Sequence, residues 1–155
     1  MTDVNSPVEP LPCVGWREWV ALPELGIKNI KVKVDTGART SALHTFAMEF
    51  FERDGEEWVR IGVHPIQKSD REWFTEARVI DKRVVRDSGG HEELRPVIET
   101  QVCLGDYQFR AELTLTSRDN MKFRMLLGRK ALENRFLVDS QGSYMQSVRP
   151  SADAQ

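Results

Sequence analysis

Apolar and polar residues alternate along most of this chain, and few stretches carry the three-to-four spacing of a buried helix face. Trp16, Glu18, Val20 and Leu22 mark a first strand. Ile30, Val32 and Val34, set between Asn29, Lys31 and Lys33, mark a second, half-buried one. A third is expected over residues 42–51. Asp54-Gly55 then forms a two-residue hairpin turn into a strand at 58–63, because both residues tolerate positive φ. Residues 73–80 give the next strand. Segments 83–86 and 94–98 read as the arms of a hairpin around Asp87-Ser88-Gly89-Gly90-His91, and 100–104 and 108–116 as a further one around Gly105-Asp106. The apolar run Met125-Leu126-Leu127 is closed by Gly128-Arg129 and followed by 130–134, a brief stretch of good helix formers. Many short strands with turn residues between them, and one short C-terminal helix, predict an all-β barrel or sandwich. Residues 13–148 form one domain in this reading, with flexible tails at 1–12 and 149–155.

Composition narrows the picture. A chain of 155 residues with 40% hydrophobic residues supports one sizeable core and needs no second domain. The net charge of −2 gives no bulk attraction to nucleic acid or to an anionic membrane, so neither is expected as a partner. Cys13 and Cys103 are far apart and lack a Cys-x-x-Cys partner, which predicts free thiols in a reducing compartment. No secretory pattern and no long apolar run occurs in the sequence, so a cytoplasmic location is expected.

The chemistry concentrates at Val32-Lys33-Val34-Asp35-Thr36-Gly37-Ala38, where a strand delivers a carboxylate into a tight turn. Thr36 offers a hydroxyl to neighbouring backbone, and Gly37 lets a second backbone approach with no Cβ in the way. By itself Asp-Thr-Gly is also what an ordinary Asx turn requires. The second element, Leu126-Leu127-Gly128-Arg129, lies about ninety residues downstream, and the pair in this order is more specific than either part.

On these two elements the chain resembles the retropepsin-like aspartic proteases, and within them a bacterial family often labelled "ATP-dependent zinc protease". The resemblance runs from Val14-Gly15-Trp16-Arg17 through Asp35-Thr36-Gly37-Ala38-Arg39-Thr40-Ser41-Ala42-Leu43-His44, Arg95-Pro96-Val97 and Leu126-Leu127-Gly128-Arg129 to Phe136-Leu137-Val138-Asp139. It implies a retropepsin-like closed β-barrel and a homodimer in which each copy donates one catalytic aspartate, Asp35, with Thr36 and Gly37 shaping its loop. Two carboxylates sharing one proton then activate water, with no acyl intermediate. The 83–98 hairpin becomes a flap, placing Ser88, Gly89 and Gly90 over substrate beside Ala38, Arg39 and Arg95. Leu126, Leu127, Gly128 and Arg129 support the active-site loop. Retroviral relatives carry an acidic residue after Asp-Thr-Gly-Ala, where this chain has Arg39, so the ion pairs that brace their dimers do not carry over.

Family members are often associated with ATP-grasp ligases that add glutamates to proteins. A cleft made electropositive by Arg39, Arg83, Arg86, Arg95 and Arg129 would suit a glutamate-rich peptide, since guanidinium groups pair with carboxylates in bidentate fashion. The labels zinc and ATP find little in the residues. His44, His64 and His91 show no His-Glu-x-x-His spacing, and no Gly-x-x-x-x-Gly-Lys-Ser/Thr cradle occurs, so no metal or cofactor is expected. A His44/His64/carboxylate zinc site and a noncatalytic peptide-binding partner of a glutamate ligase are the alternatives. Trp16, Trp19, Trp58 and Trp73 are expected in the core or at a dimer seam.

Overall fold

The computed structural model describes residues 10–66, 69–86, 89–117 and 122–148. Its strands are β1 (Cys13–Val14), β2 (Arg17–Leu22), β3 (Ile27–Asp35), β4 (Ser41–His44), β5 (Ala47–Arg53), β6 (Glu56–Val63), β7 (Trp73–Arg78), β8 (Asp81–Arg86), β9 (Glu92–Leu104), β10 (Tyr107–Thr116), β11 (Met125–Gly128) and β12 (Leu137–Val138). One helical turn, α1 (Arg129–Leu132), follows β11, and a 3-10 turn over Pro23–Leu25 joins β2 to β3. The expected mostly-β architecture with a single short helix is present. The expected tails at 1–9 and 149–155 lie outside the described residues. Pro12, which the sequence reading placed in the N-terminal tail, accepts the Leu137 N–H at 2.9 Å.

Seven strands form one sheet in the order β10-β4-β11-β3-β2-β9-β8, and β10 pairs with β9 as well, so the succession of pairings returns on itself. The alternation in β3 works as the sequence predicts: Ile30, Val32 and Val34 are buried, while Lys33 is exposed. These residues join Val20, Leu22, Leu43, Ile98, Val102, Leu104, Leu113, Leu115, Met125 and Leu127 in one apolar cluster. A second sheet, β5-β6-β7, adds Val59, Ile61 and Val63 to the same cluster. Its β5–β6 turn has Asp54 at φ 53° and Gly55 at φ 78°, the two positive angles that an Asp-Gly hairpin requires.

The expected single strand over 42–51 is two strands in two sheets. Thr45 N–H donates to the Thr116 carbonyl at 2.8 Å, and the next residue, Phe46, donates to the Gly62 carbonyl at 2.9 Å. The chain changes sheets between these two bonds, and a run with no glycine or proline carries no mark of a change of partner. Conversely, segments 94–98 and 100–104 are one strand, β9, with β8 beside its first half and β10 beside its second; the two partners overlap at Val97. The strand expected at 73–80 stops at Arg78, where Val79 turns its N–H to the Glu57 carbonyl at 2.9 Å. Of the tryptophans, Trp19 is buried and Trp73 is exposed, its Nε1–H donating to the Leu25 carbonyl at 2.9 Å. Trp16 and Trp58 are half-buried.

One buried acid organises the ends of the domain. Glu18 is fully buried on β2. Its carboxylate accepts the backbone N–H groups of Gly15 (2.7 Å), Met145 (2.7 Å), Gln146 (3.2 Å) and Ser147 (3.1 Å), together with the Ser147 hydroxyl at 2.6 Å. These bonds, with β1 pairing parallel to β12, fasten the C-terminal segment to the strand that leads into β3.

Candidate active site

Asp35 is the last residue of β3, and the topology around it is set by β11. β3 and β4 are consecutive in the chain, yet β11 lies between them, parallel to β3 and antiparallel to β4. Register places Gly128 opposite Asp35. The crossing is so close that a Cβ on Gly128 would stand 2.6 Å from the Thr40 carbonyl carbon and 2.9 Å from the Ser41 nitrogen. The Gly128 N–H is satisfied there by the Ser41 hydroxyl at 2.9 Å, a buried bond.

The loop after Asp35 folds back on its own carboxylate. Gly37 N–H donates to Asp35 Oδ1 at 3.0 Å, and Ala38 N–H donates to the Asp35 carbonyl at 3.2 Å. A side chain at position 37 would place its Cβ 3.3 Å from Oδ1, crowding the carboxylate. The start of α1 then clasps the loop: Arg129 N–H donates to Ala38 O at 2.7 Å, Lys130 N–H to Arg39 O at 2.9 Å, and the Arg129 guanidinium to Thr36 O at 3.0 Å. Asp35 is half-buried and Thr36 exposed, so the carboxylate is both held and accessible. Leu127 packs in the core behind it.

Beside this loop opens a cavity of about 840 Å³, walled by residues 37–42, by β8, by the middle of β10 and by α1. Ala38, Arg39, Arg83, Arg86 and Arg95, expected at the cleft, are among its lining residues, as are Gly37, expected to shape the catalytic loop, and Leu126, expected to support it. Arg129 is instead engaged on Thr36. Arg110, Lys130 and Arg135 also line the cavity, and Glu112 is the carboxylate among its described lining residues. These four were missed, because single charges on the outward positions of a strand or helix look like ordinary solvated residues. Arg95 reaches the cavity from a half-buried position, with Nε on Glu93 at 2.6 Å and Nη1 on the Thr114 hydroxyl at 3.4 Å.

The expected flap is a hairpin in the structure: β8 and β9 pair from Asp81↔Val97 to Arg86↔Glu92. Gly90 sits at φ 84° in open space at its tip, and Gly89 is also exposed. Asp87 and Ser88 lie outside the described residues. Among the described residues no group of three or more His, Cys, Asp or Glu side chains is placed to hold a metal ion. His64 stacks on Phe46 at 4.4 Å, with Nδ1 3.1 Å from the Arg71 carbonyl, and His44 is buried on β4. The described residues therefore do not fit the zinc of the family label. No described helix is long and apolar enough to cross a membrane.

A profile of the RimB-like family, described as retropepsin-like aspartic endopeptidase RimB, matches residues 13–149. The chain belongs to this family. Its Asp35 turn and Gly128 crossing are thus elements of a RimB-like retropepsin domain. The chain is also 46% identical over 132 residues to a protein named probable alpha-L-glutamate ligase from Shewanella halifaxensis, covering 84% of this chain and 29% of that one. A protein of the same name from Desulfotalea psychrophila is 47% identical over 128 residues, 81% of this chain and 27% of that one. The RimB-like chain thus spans under a third of the length of the curated relatives it matches. Among solved structures, Lpg0085 of Legionella pneumophila, a protein of unknown function, superposes with a TM-score of 0.71 at 23% identity, over 87% of this chain and 98% of that one. That likeness shows the shared fold.

Proposed function

We propose that this chain is a cytoplasmic aspartic endopeptidase that works as a homodimer of closed barrels, with Asp35 of each copy meeting at a two-fold axis. The observation that carries the reading is the seat of Asp35: a half-exposed carboxylate, held by the Gly37 N–H, at a strand crossing too close for any residue but glycine at 128. One chain supplies one such aspartate, and a shared-proton dyad needs two, so the second comes from a second copy. One carboxylate, ionised, takes a proton from the attacking water. The other, protonated, donates a hydrogen bond to the scissile carbonyl as charge develops on it. Thr36 fixes the two loops against each other, the β8–β9 hairpin closes over the peptide and excludes water, and the reaction draws on no metal or cofactor.

A glutamate-rich peptide is the substrate class best suited to the cavity. Seven of its lining residues are cationic, Arg39, Arg83, Arg86, Arg95, Arg110, Lys130 and Arg135, against Glu112 alone in opposition among the described residues. The names of the curated relatives support the same class, since a glutamate ligase makes such chains. They also support a second reading, in which the domain is a noncatalytic peptide-binding partner of an ATP-grasp ligase: in those relatives the matching segment is part of a longer protein with a ligase name. The deciding experiment assays a purified chain on a glutamate-rich peptide with and without a strong chelator, beside Asp35→Asn. Cleavage that survives chelation and disappears in Asp35→Asn is expected. Cleavage retained by Asp35→Asn, or restored only by zinc, overturns the aspartic mechanism. A dimer inactive in every condition leaves the binding module as the better reading.

A further inference from the structure

Most cations around the cavity are neutralised from outside it. Arg110 holds Glu24 through Nη1 at 2.8 Å and Nη2 at 3.3 Å, and Glu99 through Nε at 3.2 Å. Arg86 pairs with Glu92 and Arg95 with Glu93. None of these four carboxylates lines the cavity. Arg83 differs. Its Nε is on Asp81 at 2.8 Å, also outside the lining, but its Nη1 reaches over β9 to Glu112 on β10 at 2.7 Å. Arg83–Glu112 is the ion pair, among the described residues, with both members in the cavity lining.

We infer that Glu112 is a built-in competitor for substrate: its carboxylate occupies, on Arg83, the place a glutamate side chain of the bound peptide takes. The inference rests on the acidic-peptide reading above and names the residue pair that sets its strength. Side-chain exposures of 37% for Arg83 and 45% for Glu112 leave the pair open to solvent, so one carboxylate can replace another without dismantling packed structure. The exchange forms one charge-assisted bond for each that it breaks. Net affinity for acidic chains therefore comes from cations such as Arg39, for which no ion pair is made among the described residues, while Glu112 tunes that affinity downward. Removing the Glu112 charge leaves Arg83 with Asp81 alone and frees Nη1 for the ligand.

The test measures binding in the Asp35→Asn background, where no turnover intervenes, using fluorescently labelled glutamate and glutamine homopeptides. Glu112→Gln should bind the glutamate peptide roughly three- to fivefold more tightly, the size expected for a half-exposed ion pair. Binding of the glutamine peptide should not change, and the gain should shrink as salt is raised. Arg83→Gln should weaken glutamate-peptide binding, and Arg83→Gln/Glu112→Gln should bind no more tightly than Arg83→Gln alone. Should Glu112→Gln fail to fold, Glu112→Asp, one methylene shorter, shifts affinity in the same direction. If the parent prefers glutamate to glutamine and Glu112→Gln leaves that preference unchanged or reduced, the inference fails and the acidic-peptide reading stands. If the parent shows no preference, both fail.

Discussion

Replacing Gly128 by alanine tests whether the strand crossing, more than any local preference of the Asp-Thr-Gly turn, fixes the carboxylate. The added Cβ meets backbone on the far side, 2.6 Å from Thr40 C, 2.8 Å from Thr40 O and 2.9 Å from Ser41 N, with no flexible side chain available to yield. β11 and β4 must separate. Overpacking of this kind costs about 1–3 kcal/mol. The separation also strains the buried Gly128 N–H to Ser41 Oγ bond, contributing about 1 kcal/mol more. The sum, roughly 2–4 kcal/mol, corresponds in a domain of this size to a melting temperature lower by roughly 4–16 °C. Because Gly128 pairs with Asp35, cleavage should fall along with stability. Thermal unfolding followed by circular dichroism, with Gly90→Ala as comparison, separates the clash from the general cost of losing a glycine: Gly90 has φ 84° but open space around it. Its replacement should cost only about 1–2 kcal/mol of backbone strain. A Gly128→Ala protein that melts within a degree of the parent would refute the reasoning.

Glu18→Gln puts an amide donor where four backbone N–H groups and a hydroxyl converge, and should destabilise the domain by roughly 3 kcal/mol or more, read by denaturant unfolding; an unchanged midpoint would deny the acid its organising role. Arg110 and Arg83 hold Glu24 and Asp81 below their ordinary values of 4.5 and 3.8. A carboxylate depressed in the folded state contributes stability that is complete above its unfolded value and is lost as pH falls through the folded one. The melting temperature should therefore drop as the solution is acidified below about pH 4.5. Arg110→Gln should flatten the Glu24 share of that slope, and an identical slope would contradict the assignment.

What the sequence made legible was local. The alternation of Ile30, Val32 and Val34 gave β3, Asp54-Gly55 gave its hairpin, and the pairing of Asp35-Thr36-Gly37 with Leu126-Leu127-Gly128-Arg129 pointed to both halves of the site. What it hid depends on partners distant in the chain. Residues 42–51 contain no glycine, proline or other turn residue to mark a break, and only the bonds to Thr116 and Gly62 reveal that the chain changes sheets after Thr45. Glu18 occupies the inward phase of β2 beside Val20 and Leu22, a position where an acid signals burial; apart from the Gly15 N–H, the donors that satisfy it, on Met145, Gln146 and Ser147, are more than a hundred residues away. Arg110, Glu112, Lys130 and Arg135 reach the cavity because β10 and α1 fold beside the 37–42 loop, and nothing in their own neighbourhoods marks them out.

The central claim, that two copies of Asp35 make one catalytic site, is tested most directly by mixing. Wild-type chain and Asp35→Asn chain are combined in varied proportion, unfolded and refolded together, and assayed at constant total protein on a glutamate-rich peptide. A shared dyad makes every mixed dimer inactive, so activity should fall as the square of the wild-type fraction. Activity that falls in direct proportion to that fraction would mean each chain carries a complete site, and would contradict the account.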